Sequence, residues 1–132
     1  MTQRILENLT RQYQALKVLN YLQEEEFSHL KEFRPQSVGA VEFSIQELMR
    51  QIMVERKGAR RMMNEMDPRA ARLSDLAGAF GERWEEAREL LGKIDKLEQV
   101  CAKQAEKSYT LALALADQSS GYVDFFKKQL TP

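Results

Sequence analysis

Between Val38 and Met66 apolar residues recur three and four apart: Val38, Val41, Ile45, Leu48, Ile52, Ala59, Met62 and Met66, with Glu55 the charged member of the series. This is the a/d pattern of a helix packed along its whole length against other helices. It limits the chain to an all-α fold in which long helices lie side by side. Met49, Met53 and Met63 form a second flank that is expected to widen the buried face. Glu55 is read as a drift of the stripe towards the surface in preference to a buried register-setting residue.

The segments on either side carry related patterns. The first helix is expected over about Thr2 to Phe33, with the stripe Leu6, Leu9, Tyr13, Leu16, Asn20, Gln23, Phe27 and Leu30. Its polar members are read as helical drift. Pro35 disfavours helical geometry at Arg34 and ends the helix there. Ser37 is the expected N-cap of the second helix, over about 37–66, and Asp67-Pro68 opens a third. From Ala70 a 3–4 pattern keeps its phase through Trp84, Leu91, Ile94, Cys101, Ala112 and Leu115 to Phe126. The third helix is therefore expected over about 68–130, with breaks or kinks at 78–81 and 119–121, where glycines fall. The chain reads as one domain, an antiparallel bundle of three to four long helices with coiled-coil-like packing and an extended C-terminal helix.

The mismatch in length has a functional consequence. Two helices of about 30 residues span roughly 45 Å, and a continuous third would be about twice as long. An overhang would leave Leu111, Leu115, Tyr122, Val123, Phe125, Phe126 and Leu130 without cover, and such a patch marks an interaction surface. The same stretch could instead close the bundle or bury itself in a homodimer, so both readings stay open here.

Composition narrows the function classes. The 20 basic and 20 acidic side chains give zero net charge, without the basic excess of a dedicated nucleic-acid binder. Arg50, Arg56, Lys57, Arg60, Arg61, Arg69 and Arg72 lack interleaved aromatic stacking platforms and read first as a solvated face, then as a protein-docking patch. The lone Cys101 excludes a disulfide framework within the chain and fits a reducing compartment. No secretory h-region and no spanning apolar run is present, so a cytoplasmic protein without membrane insertion is expected. Glu26-Phe27-Ser28-His29 has the spacing of a di-iron motif, but His29 is the only histidine and a second copy cannot exist. No catalytic residue, metal site or cofactor is assigned, and the chain is not read as an enzyme.

The order of these segments resembles the FlgN-type flagellar export chaperones. The likeness rests on the opening Leu6, Leu9, Tyr13, Leu16 helix with its Glu24-Glu25-Glu26 end. It continues through the second helix from Val41 to Ile52 followed by Glu55-Arg56, and through Leu90-Leu91, Ile94 and Leu97 into Leu111-Ala112-Leu113-Ala114-Leu115. The resemblance implies a cytoplasmic chaperone that binds the C-terminal helices of hook–filament junction proteins, keeps them soluble and delivers them to the flagellar export apparatus. It further implies that substrate is captured by the C-terminal helix, here at Leu111, Leu113, Leu115, Tyr122, Val123, Phe125, Phe126 and Leu130. A coiled-coil adaptor or homodimeric structural protein is the alternative reading.

Overall fold

The computed structural model describes the backbone of residues 1–130 and the side chains of residues 1–118 together with positions 121 and 128. Three long helices dominate: α1 (Thr2–Lys31), α2 (Pro35–Met66) and α4 (Trp84–Leu130). A single-turn helix, α3 (Ala77–Phe80), lies between two 3₁₀ turns in the connection before α4. No strand occurs among the described residues, and the fold is an all-α helical bundle.

The seam of α1 differs in detail from the stripe read in the sequence. Its buried positions are Ile5, Leu9, Gln12, Leu16, Leu19, Gln23 and Glu26, again three and four apart, with Leu6 and Asn8 beside them. Tyr13, Asn20 and Phe27 are only half-buried. The cause is position: α1 packs along both α2 and α4, whereas α2 and α4 have little direct packing on each other. A helix with neighbours on two sides buries a wide arc, and here that arc includes polar residues.

On α2 the seam follows the sequence pattern. Ile45, Ile52 and Met63 are buried, and Val41, Leu48, Met62 and Met66 pack against the core. The expected second flank is half absent: Met63 is buried, but Met49 and Met53 are exposed. α2 packs on α1 alone, touches α4 through the ion pair between Arg56 and Glu98, and buries one stripe.

Glu55 corrects the surface reading. Its carboxylate accepts hydrogen bonds from Asn8 Nδ2 at 2.8 Å and Arg11 Nε at 3.0 Å. Asn8 also donates to the Glu55 carbonyl at 2.9 Å and accepts from Gln12 Nε2 at 2.6 Å. Asn8 is 2% exposed, so this polar knot fixes α1 against α2 as a buried register device does. Likewise Gln23 is no surface drift; it is buried and donates to the Cys101 carbonyl of α4 at 3.0 Å.

The helix ends also differ. α2 starts at Pro35 with Arg34 as N-cap and no side-chain cap, so Ser37 is not the cap. Proline suits that first position because its missing N–H would be unpartnered anyway. The preceding turn is a Schellman motif: Phe33 N–H donates to the Leu30 carbonyl, Arg34 N–H to that of His29, and Phe33 has φ 55°. The third helix begins at Trp84 and not at Pro68. Asp67 Oδ1 accepts from Arg69 N–H in a turn, and the chain then bends to the first 3₁₀ segment. Gly81 at φ 58° is the breaker that separates α3 from the turn leading into α4. Ala70, Leu76 and Phe80 are buried in this connection and close one end of the core. Beyond Trp84 the helix is continuous through Gly121 to Leu130.

Candidate functional site

α1 and α4 run parallel, starting together where Arg83 donates to Gln3. Along α4 the buried positions are Ala87, Ile94, Cys101 and Ser108, one heptad apart. Cys101 sits there as a small hydrophobe; its thiol is 3.8 Å from the Leu16 carbonyl and burial pushes its pKa up. The next position in this series is Leu115, half-buried, and then Tyr122. The seam that holds α4 on α1 therefore continues after α1 has ended at Lys31. With 30 residues in α1 and 47 in α4, the excess of α4 is about 25 Å.

The last layers of the α1–α4 interface are polar. Gln23 Oε1, Gln104 Nε2 and Ser108 Oγ are buried without a hydrogen-bond partner. Such groups weaken an interface relative to an apolar layer.

Beside this layer Phe27, Lys103, Glu106, Lys107, Thr110, Leu111 and Ala114 line an open cleft of about 500 Å³. The Lys31 and Lys107 ammonium groups lie 5.4 Å and 5.0 Å from the Phe27 ring centroid, a cation–π arrangement. An equivalent cleft occurs two heptads earlier, where Tyr13 lies under Lys17 at 4.8 Å and Lys93 at 5.8 Å, with Leu97 and Val100 beside it. The repeat follows from two parallel helices in constant register. These clefts were not evident in the sequence, although the Phe27–Lys31 and Tyr13–Lys17 spacings were a signal of one half of each.

The structure places the sequence-derived contact residues as follows. Leu111 and Leu115 share one face of α4 and are half-buried. Leu113 lies on another face and is 49% exposed. The side chains of Tyr122, Val123, Phe125, Phe126 and Leu130 lie outside the described residues. Glu26 is engaged with Glu42 of α2: its carboxyl is pushed up to about 8, first by burial and then by the Glu42 carboxylate, which is itself held low. Among the described residues no cluster of three metal-ligating side chains occurs, and no helix is long and apolar enough to cross a membrane. The arrangement offers an apolar stripe through Leu111 and Leu115 beside a cleft rimmed by Lys103, Glu106 and Lys107.

No curated protein and no solved structure gives a significant match to this chain. The sequence model described as FlgN protein matches residues 1–132, a match over the whole chain that makes this protein a member of the FlgN family.

Proposed function

We propose that this protein is a cytoplasmic flagellar export chaperone that holds the C-terminal helices of hook–filament junction proteins in a soluble, export-competent form and hands them to the export apparatus. Membership of the FlgN family supports a flagellar export chaperone role. The observation that carries the finer reading is the continuation of the α4 seam past the end of α1, with Leu111 and Leu115 on the stripe and the Phe27 cleft at its base. A captured amphipathic helix would take the place beside α4 that α1 vacates, presenting apolar anchors at i, i+3, i+4 and i+7. Each large anchor buried contributes roughly 1.5–3 kcal/mol, from which ordering costs are subtracted. This role uses no nucleotide, metal or proton transfer.

Co-purification with hook–filament junction proteins tests it. The full chain is expected to retain substrate, and a chain ending at Ser108 to lose it. Leu111→Asp and Leu115→Asp are each expected to weaken binding by about tenfold or more, which corresponds to about 1.4 kcal/mol. Equal recovery of substrate by the full and shortened chains would contradict the capture role.

A further inference from the structure

The two clefts on the flank of the α1–α4 pair repeat one another residue for residue. The first, of about 310 Å³, is lined by Tyr13, Lys17, Lys93, Lys96, Leu97 and Val100. Two heptads on, the same positions are Phe27, Lys31, Lys107, Thr110, Leu111 and Ala114. All of these but Lys31 line the second cleft, and the Lys31 ammonium lies over its Phe27 ring. At 1.5 Å per residue the clefts are about 21 Å apart along both helices. No residue of α2 lines either of them, so the bundle leaves this flank uncovered. Each floor is apolar: half-buried Tyr13 and Leu97 with the exposed Val100 in one, half-buried Phe27 and Leu111 in the other. Two parallel helices with apolar clefts at heptad spacing form the seat for a third helix whose anchors recur at the same interval.

The charges identify that helix. Lys17, Lys93 and Lys96 rim the first cleft, which has no acidic residue in its lining. Lys31, Lys103 and Lys107 rim the second, with Glu106. On α1 the exposed Glu24 stands midway between Lys17 and Lys31. Among the described residues none of the six lysines takes part in an ion pair. Lys17 and Lys93 approach the Tyr13 ring from α1 and α4, as Lys31 and Lys107 approach the Phe27 ring. A carboxylate placed above either ring would therefore meet a cation from each helix. A second copy of this flank is equally basic and would be repelled. The ammonium groups also occupy the ring faces on which nucleic-acid bases would stack, which disfavours a nucleic acid.

We propose that the α1–α4 flank is a docking face for an acidic amphipathic helix of another protein, with apolar anchors two heptads apart in the Tyr13 and Phe27 clefts and carboxylates set against the lysine rims. This goes beyond capture by the projecting stripe of α4. Leu111 borders both surfaces; the Tyr13 cleft lies two heptads nearer the start of α4 and belongs to the docking face alone.

Fluorescence anisotropy with the full chain at low salt is the test. The probe is a labelled synthetic helix of about 25 residues, roughly 37 Å long, with leucine pairs two heptads apart and glutamates flanking each pair. It is expected to bind in the micromolar range. The same peptide with lysines in place of the glutamates is expected to bind at least about tenfold more weakly. Moving one leucine pair a helical turn closer to the other keeps composition and charge but not the cleft spacing, and is expected to weaken binding by about fivefold or more. The Lys93→Glu/Lys96→Glu variant, altered at two exposed positions and verified as helical by circular dichroism, is expected to lose at least about tenfold. In co-purification it is expected to keep hook–filament junction proteins, so that loss of peptide binding and loss of substrate capture are read separately. The inference is overturned if the acidic peptide binds no better than the lysine peptide or the respaced one, or if the Lys93→Glu/Lys96→Glu variant binds as wild type does. An oligothymidylate of matched charge that binds as tightly as the acidic peptide also overturns it, since the face would then answer to anionic charge alone.

Discussion

Asn8 ties α1 to α2 by hydrogen bonds from a nearly fully buried side chain. Its amide donates to both the carboxylate and the carbonyl of Glu55, and its Oδ1 accepts from Gln12. Truncation would leave the buried Gln12 amide and the half-buried Glu55 carbonyl each without a partner. Asn8→Ala is therefore expected to lower stability by about 2–3 kcal/mol. A double-mutant cycle with Glu55→Ala, read by urea denaturation, is expected to show coupling of about 1 kcal/mol. Additive effects of the two substitutions would mean that the knot does not act as a unit. The sequence displayed Glu55 as an interruption in an apolar seam. It did not display the partner, because Asn8 lies 47 residues away on a stripe that looked adequately apolar without it.

At the scale of elements, the α1–α2 hairpin contains a buried carboxyl whose titration is moved towards neutrality. Glu26 is buried and holds its proton up to about 8, whereas the ordinary value is 4.5. Between those values the folded chain keeps a proton that the unfolded chain releases, so stability falls as pH rises through this range. Glu42 is shifted downwards, and its contribution is lost only as pH falls below the ordinary carboxylate range, so it does not offset the slope near neutrality. Glu26→Gln keeps a neutral donor towards Glu42 and removes the titration. It is expected to match wild type near pH 5 and to be more stable near pH 8 by about 1–2 kcal/mol. Denaturation midpoints at the two pH values measure this, and a wild-type stability that is flat across them would contradict it. The α1–α4 pair differs in kind: its apolar heptads end in a polar layer, where Gln23 donates across the interface to the Cys101 carbonyl beside Gln104 and the buried Ser108.

For the whole molecule, the decisive fact is that α1 stands between α2 and α4. Loss of α2 leaves α1 and α4 packed, whereas α2 and α4 share little beyond the ion pair between Arg56 and Glu98. Native-state hydrogen exchange is thus expected to find α1 amides more protected than those of α2. Equal protection would indicate a single cooperative unit. By itself the sequence determined the all-α class, the inner seam of α2 and the excess length of the last helix, because 3–4 periodicity and helix rise are local properties of the chain. It also located the stripe through Leu111 and Leu115. Only the tertiary structure decided which helix is central, which polar residues of α1 are buried, and that Met49 and Met53 stay outside, because burial depends on how many neighbours a helix has. The Phe27 cleft belongs to the same category, because it forms only once α1 and α4 are set side by side.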